Sequence, residues 1–157
     1  MLYVRAAAAL VLPVMVDVVV PALLLDRSSG RFDAGSARYL GVPLVLAGAW
    51  LLFDSVFLRF AREGRGTLAP IDPPRFVVRG GPYRLMRNPM YVANVAIIVG
   101  SGIVFRSWWL FGWAAVVLVA FHLFAIAYEE PTLRRSFGDE YEEYCRATPR
   151  WLPRWRP

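Results

Sequence analysis

A polar loop between two apolar stretches, residues 80–91, contains side chains that could hold an anion. Pro82 and Pro89 fix φ and suppress helix in the residues that precede them. The pattern predicts a stiff loop running into a helix, whose first turn offers free N–H groups and a positive dipole end to a carboxylate or phosphate. The alternative is an interfacial anchor, because Tyr and Arg are common at membrane surfaces. The polar side chains of this loop are Tyr83, Arg84, Arg87, Asn88 and Tyr91.

A pair of adjacent carboxylates, Glu129 and Glu130, follows the last long apolar stretch. Such a pair is either solvated or used to bind a cation. His122 lies seven residues before Glu129, two turns away on nearly the same helix face. A His inside a membrane helix normally faces the bundle interior, where it is either a functional group or a partner of nearby backbone. The loop and the glutamate pair together predict a site for a zwitterion, with tyrosine faces packing against its cation.

Motifs for several other chemistries are absent from the sequence. There is no Gly-x-Gly-x-x-Gly after a strand, no P-loop and no Gly-x-Ser-x-Gly elbow. One His and one Cys cannot supply a zinc site, so no metal centre is predicted. The single Cys145 also excludes a disulfide framework.

The composition favours a membrane protein, because 57% of the 157 residues are apolar and only 19% are charged. Four apolar windows approach the about 20 residues that a spanning helix needs. The first is too long for a signal peptide and no small-x-small cleavage site follows it, while the third is short and would span only with help from its flanks. We predict an all-α membrane protein with about four transmembrane helices, at residues 6–25, 39–57, 90–105 and 108–128.

The arginines predict the orientation of these helices. All 18 basic residues are arginines, and fourteen of them lie on one side: in the loop between the second and third windows, in the C-terminal tail, and at Arg5. By the positive-inside rule, both termini and this loop are predicted to be cytoplasmic. The alternative role of the arginines is headgroup anchoring, worth about 1 kcal/mol each. Membrane lipids are therefore predicted partners. Nucleic acid is not, because the tail balances its six arginines with six acids.

Two short segments connect and follow the last helices. Only Arg106 and Ser107 separate the third and fourth windows, which predicts a tight antiparallel hairpin. After Pro131, which suits the first turn of a helix, apolar and aromatic residues recur at spacings of four, four and three until Pro149. This C-terminal helix is predicted to lie on the cytoplasmic bilayer surface or to close over a pocket. Its stripe consists of Leu133, Phe137, Tyr141 and Tyr144.

Several short motifs follow one another between Gly64 and Pro153, namely Gly64-Arg-Gly-Thr, Pro73-Pro, Gly81-Pro-Tyr-Arg, Arg87-Asn-Pro-Met-Tyr91, Glu129-Glu-Pro131, Phe137-Gly-Asp-Glu-Tyr-Glu-Glu-Tyr144 and Pro149-Arg-Trp-Leu-Pro153. In this order and spacing the chain resembles the integral-membrane methyltransferases, a superfamily that includes isoprenylcysteine carboxyl methyltransferase and phosphatidylethanolamine N-methyltransferase. The resemblance implies one membrane domain, 1–157, with a helical hairpin (1–60) and a core (61–157). That core is expected to bind S-adenosyl-L-methionine (SAM) at the cytoplasmic membrane boundary.

The resemblance also implies which residues bind the cofactor. The family's Arg-His-Pro-x-Tyr loop corresponds to residues 87–91, and its glutamate pair to Glu129 and Glu130. Asn88 stands where the carboxyl methyltransferases have His. It can hydrogen-bond the cofactor but cannot act as a base, which argues against prenylcysteine as the acceptor. The phospholipid-methylating branch is similar to this chain in having Asn-Pro-Met-Tyr and Tyr-Glu-Glu-Pro. The expected cofactor-binding residues are Tyr83, Arg84, Arg87, Asn88, Pro89, Tyr91, Glu129 and Glu130.

The reaction implied is direct transfer of the SAM methyl group to a lipophilic or lipid-like acceptor that enters sideways from the membrane. Glu129 or Glu130 would hold the positive cofactor, while Arg84 and Arg87 would take its carboxylate or an acidic acceptor. The candidate base is His122, which titrates near pH 7 when unperturbed, although a carboxylate acceptor would need no base. The expected catalytic residues are His122, Glu129 and Arg87.

Two other interpretations of the sequence stay open at this point. One is an NADPH-dependent reductase similar to the membrane sterol reductases, which look similar in their C-terminal helices. The other is a non-enzymatic membrane module that binds lipid or acts as a scaffold.

Overall fold

A computed structural model describes residues 13–25, 30–56, 58–59 and 76–153, and these residues form helices and turns without a β-strand. The predicted all-α class therefore holds for this part of the chain. The Gly64-Arg-Gly-Thr and Pro73-Pro motifs lie outside the described residues. The helices are α1 (Met15–Leu25), α2 (Gly35–Val56), α3 (Pro89–Phe105), α4 (Trp108–Phe124), α5 (Glu130–Phe137) and α6 (Asp139–Ala147). Helix α2 begins with a 3₁₀ segment at Gly35–Leu40, and a 3₁₀ turn at Gly81–Arg84 precedes α3.

Two helical segments among the described residues are long and apolar enough to cross a membrane. They are Gly35–Val56, with 22 residues, and Trp108–Phe137, with 30 residues, in which α4 continues through a π-helical turn into α5. Met15–Leu25 and Pro89–Phe105 are apolar but shorter. Because about 20 residues suffice for a span, the apolar residues 108–128 are long enough to cross, and the charged residues of this helical segment begin at Glu129. The two long helices indicate membrane association, and the four predicted crossings stay a prediction.

Small residues let α2 and α3 pack backbone to backbone. A Cβ atom added to Gly48 would lie 2.9 Å from the carbonyl oxygen of Ala93, and one added to Gly100 would lie 2.8 Å from Cγ2 of Val45. A Cβ atom added to Gly41 would lie even closer to the carbonyl oxygen of Gly100. In lipid the hydrophobic effect does not drive helices together, because lipid tails are as apolar as the helices. Close packing at interfaces of this kind holds them together instead. The start of α3 is therefore positioned by its contact with α2.

Helices α3 and α4 form an antiparallel hairpin. Arg106, in the left-handed region at φ 57°, and the extended Ser107 make up the turn, which confirms the two-residue connection predicted from the sequence. The N–H of Phe32 donates to the carbonyl of Arg106 at 3.0 Å, and the N–H of Trp108 donates to that of Gly30 at 2.9 Å. These bonds tie the α1–α2 connection to the turn. The hairpin core is formed by Ile98, Leu110, Ala114 and Val117.

The C-terminal stripe of aromatic residues lies on two helices, although one was predicted. Gly138 separates α5 from α6 with φ 51° and ψ −127°, a conformation that glycine adopts without the steric cost paid by other residues. The break turns α6 so that Tyr141 and Tyr144 are buried. The hydroxyl of Tyr144 donates to the carbonyl of Tyr83 at 2.7 Å. The stripe is thus packed against the 80–91 loop, and its predicted position at the bilayer surface stays a prediction.

Candidate functional site

Three segments meet at the end of the hairpin where α3 begins and α4 ends. They are the 80–91 loop, the Glu129–Glu130 pair, and residues 149–152, which follow α6 and which we call the strap. The N–H of Arg87 donates to the carbonyl of Pro149 at 2.9 Å, and the N–H of Asn88 donates to that of Arg150 at 3.2 Å. The loop and the strap therefore run side by side, joined by backbone hydrogen bonds.

Glu130 lies at the centre of an arginine cluster. Its side chain is only 5% exposed, and Arg150 donates to both of its carboxylate oxygens, from Nε at 2.7 Å and from Nη2 at 3.0 Å. Arg87 lies 3.2 Å from one oxygen and Arg134 lies 3.6 Å from the other. Burial opposes ionisation, but the hydrogen bonds from Arg150 and the three positive charges outweigh it and lower the pKa of Glu130. Glu130 is thus an ionised, fully paired carboxylate that joins loop, helix and strap.

Glu129 has a different environment from its neighbour. The hydroxyl of Tyr91 donates to Oε2 of Glu129 at 2.7 Å, and the Tyr91 ring stacks on Phe121 with centroids 4.4 Å apart. No arginine in the described part of the chain pairs with Glu129. Burial raises the pKa of Glu129, and the hydrogen bond from Tyr91 offsets only part of that rise. A cation placed beside this carboxylate would supply the positive partner that Glu130 has and Glu129 lacks among the described residues.

Asn88 and Pro89 form the transition from the loop to α3. Pro89 is fully buried at the first position of the helix, where its missing N–H costs nothing. Asn88 is 8% exposed, and its Nδ2 is buried without a hydrogen-bond partner among the described residues. A buried donor without a partner is costly, so this amide is suited to an acceptor atom of a ligand.

The two arginines expected to take a carboxylate are differently placed. Arg87 is engaged with Glu130, and its Nη1 also donates to Sγ of Cys145 at 2.8 Å. Arg84 ends the 3₁₀ turn with an exposed side chain. Tyr83, in the same turn, is buried against Tyr144.

His122 borders an apolar groove of about 510 Å³ between α3 and α4. Trp151 of the strap lines the groove at its His122 end, with its ring centroid 5.8 Å from that of His122 and 6.3 Å from that of Tyr91. Trp151 thus lies near both His122, which lines the groove, and Tyr91, which binds Glu129. The other lining residues are Val92, Val95, Leu118, Val119 and Leu152.

Two residues of this site, Arg150 and Trp151, were not predicted from the sequence as site residues. The Pro-Arg-Trp-Leu-Pro segment contributed to the family resemblance, but no spacing rule pairs a residue of an irregular tail with a carboxylate twenty positions earlier. Among the described residues no three His, Cys, Asp or Glu side chains cluster in a way that would hold a metal ion.

Comparison with known proteins identifies the family. A family model described as phospholipid methyltransferase (PEMT) matches residues 36–140, which is more than half of the chain. The nickel-cobalt-cadmium resistance protein NccN of Alcaligenes xylosoxydans xylosoxydans is 40% identical over 81 residues, which cover 50% of this chain and 36% of that protein. The cobalt-zinc-cadmium resistance protein CzcN of Cupriavidus metallidurans is 38% identical over 80 residues, with coverages of 50% and 36%.

One of the relatives is a plant protein that carries the name of a methyltransferase. The probable protein-S-isoprenylcysteine O-methyltransferase of Oryza sativa subsp. indica is 37% identical over 79 residues, which cover 49% of this chain and 40% of that protein. The matched region thus spans 36–40% of the length of these curated relatives. The match to the family model confirms the resemblance drawn from the motifs, and the chain belongs to the phospholipid methyltransferase family of membrane methyltransferases.

Proposed function

We propose that this protein transfers a methyl group from SAM to a lipophilic acceptor at the cytoplasmic membrane boundary. The observation that carries the proposal is the position of Glu129, a half-buried carboxylate that has no arginine partner in the described residues. Glu129 is bonded to Tyr91, whose ring lies 6.3 Å from that of Trp151 at an apolar groove. A cation-binding group beside a hydrocarbon-binding surface matches a sulfonium donor and a lipid-like acceptor.

The residues present fit the cofactor by charge. In this proposal Glu129, positioned by Tyr91, faces the sulfonium or the ammonium group. The unpartnered Nδ2 of Asn88 and the start of α3 serve the carboxylate. Arg87 acts mainly through Glu130, because the pairing of these two side chains holds the loop in place. Arg84 is exposed and remains a candidate for the carboxylate only if its side chain turns inward.

The reaction needs little beyond alignment. When bound, SAM supplies an electrophilic methyl group whose bond to sulfur breaks as the bond to the acceptor forms, with the electron pair staying on sulfur. The groove between α3 and α4 excludes water and aligns the acceptor, and such preorganisation can supply about 7–11 kcal/mol. His122 accepts the proton of an amine, thiol or phenol acceptor, whereas a carboxylate acceptor has none to give.

The same arrangement supports the proposed orientation of the protein in the membrane. Arginines of the loop, α5 and the strap surround the site, and the positive-inside rule assigns this end to the cytoplasm. SAM then arrives from the cytosol, while the acceptor enters from the lipid through the groove, whose Leu118 and Val119 are exposed on the outside of the bundle. Four transmembrane helices with cytoplasmic termini, and a core formed by residues 61–157, complete this proposal.

Calorimetry on the purified protein in lipid nanodiscs tests the function. We expect S-adenosylhomocysteine to bind in the micromolar range and NADPH not to bind. Incubation with methyl-labelled SAM and fractionated host membranes should then give a labelled lipophilic product. Binding of NADPH alone would support a reductase, and binding of neither compound would support a lipid-binding module.

A further inference from the structure

The strap is held to the rest of the site at three points although it has no regular secondary structure. Its carbonyls at Pro149 and Arg150 accept hydrogen bonds from the N–H groups of Arg87 and Asn88. The Arg150 guanidinium also binds Glu130 through two hydrogen bonds, of 2.7 and 3.0 Å. A paired guanidinium and carboxylate fix direction as well as distance. The backbone that precedes Trp151 is therefore tied both to the loop and to Glu130 of α5.

Trp151 lies where the groove meets the proposed cofactor site. Its ring is 5.8 Å from His122 at the groove and 6.3 Å from Tyr91, which binds Glu129. From Trp151 the groove extends along Val92 and Val95 of α3, and along His122 and Leu118 of α4, toward the middle of the hairpin. Trp151 thus stands at the membrane-boundary end, beside the place where the acceptor would react.

The lining of the groove indicates what occupies it. Apart from His122, every described side chain that lines it is apolar or aromatic, and none of these side chains is charged. A charged headgroup buried here would lose its hydration without gaining a partner. The groove therefore suits an uncharged hydrocarbon chain whose single polar end lies beside His122 and Trp151.

We propose that Trp151 is the stop that sets how far this hydrocarbon chain enters the site, and that Arg150 is the positioning residue that holds the stop in place. The inference rests on the proposed function, because it assigns the groove to the acceptor. With the stop present, the polar end of the acceptor comes to rest beside His122. Without it, the chain slides past His122 toward Tyr91.

Photo-crosslinking tests this proposal without requiring turnover. Two n-dodecyl alcohol probes, with a diazirine next to the hydroxyl or at the far end of the chain, are added to the protein in nanodiscs and the labelled residues are mapped by mass spectrometry. In the native protein we expect the first probe to label His122 or Trp151 and the second to label Val95 or Leu118. In Trp151→Ala the label of the first probe should move to Tyr91. In Trp50→Ala, the same change at an exposed Trp of α2 that does not line the groove, it should stay at His122.

Arg150 is tested by the same probes. Arg150→Gln should spread the label between His122 and Tyr91, and Arg150→Lys should restore the native pattern in part, because it keeps the charge near Glu130. An unchanged pattern in both Trp151→Ala and Arg150→Gln, or labels outside the groove in the native protein, would overturn the proposal. Calorimetry with S-adenosylhomocysteine on the same samples reports on the methyltransferase assignment separately. A native labelling pattern without cofactor binding would contradict the methyltransferase assignment but would still support the role of Trp151 as the stop.

Discussion

The hydroxyl of Tyr91, in the first turn of α3, donates a hydrogen bond of 2.7 Å to Oε2 of Glu129 in the π-helical turn between α4 and α5. This single contact joins the two motifs that the sequence separates by nearly forty residues. It also distinguishes the two adjacent glutamates, because Glu130 is bound by arginines and Glu129 by a neutral phenol.

Glu129→Gln should weaken SAM binding about tenfold or more, which corresponds to about 1.4 kcal/mol for each factor of ten. Its affinity for S-adenosylhomocysteine, which lacks the sulfonium charge, should fall less. Calorimetry with both compounds measures the difference. Glu143→Gln, at an exposed position on α6, is the matched control. Equal losses for the two compounds would show that Glu129 does not contact the sulfonium.

The affinity for SAM should rise with pH over part of the range above 4.5. Burial raises the pKa of Glu129 above its ordinary 4.5, so in the free protein this carboxyl is still protonated over part of the range above 4.5. Binding of a cation favours the ionised form, and affinity therefore increases as pH rises through the raised pKa. Titrations across this range should show the slope in the native protein and a flat line in Glu129→Gln. A native profile without a slope would contradict the prediction.

Glu130→Gln should destabilise the protein by about 3 kcal/mol, because removal of one partner leaves buried positive charge uncompensated. The native pKa of Glu130 is lowered, so its stabilising contribution is present above pH 4.5 and is lost as pH falls below 4.5 through the lowered pKa. Unfolding in denaturing detergent at several pH values measures both effects. Glu143→Gln should leave the midpoint unchanged. An equally stable Glu130→Gln variant would show that the arginine cluster contributes nothing to stability.

His122→Ala should abolish most turnover while it leaves the affinity for S-adenosylhomocysteine within about twofold, since loss of a general base costs about 10²–10⁴ in rate. Methyl transfer to the acceptor fraction and calorimetry are measured on the same preparation. Full turnover across pH in this variant would show that His122 does not act as a base and only packs against Trp151.

Gly48→Ala should destabilise the contact between α2 and α3 by about 1–3 kcal/mol, because the new methyl group would lie 2.9 Å from a backbone oxygen that cannot move aside. Gly112→Ala is the control, since no atom lies within 4 Å of the added Cβ, and it should be neutral or stabilising by up to about 1 kcal/mol. Detergent unfolding of the two variants gives the comparison. A similar midpoint for both would mean that the glycine contact is not tight in the membrane.

Local patterns predicted a large share of the fold. The hairpin between the third and fourth windows could be predicted because only Arg106 and Ser107 separate two apolar runs. The break at Gly138 could not, since spacings of four, four and three continue across it as they would in one helix. The family resemblance could be recognised from the sequence because its motifs occur in a specific order and spacing. The match to the family model confirms it.

The pairing within the site was much less predictable. The sequence pointed to both glutamates as equivalent cation ligands, but their partners depend on the path of the chain after α6. Arg150 reaches Glu130 because Thr148 leaves the helix in an extended conformation and turns the strap back over the loop. Adjacent residues of one helix point in directions about 100° apart, so one glutamate meets this strap and the other meets Tyr91.

The backbone pairing of loop and strap also limits the donors that the start of α3 can offer to an anion. An isolated helix start offers four free amides, but here Pro89 has no N–H and the N–H of Asn88 donates to the carbonyl of Arg150. Among the described residues this leaves the N–H groups of Met90 and Tyr91, together with the unpartnered side-chain Nδ2 of Asn88. The strap therefore sets the donor count at the start of α3, because its carbonyl occupies one amide that an isolated helix would leave for a ligand.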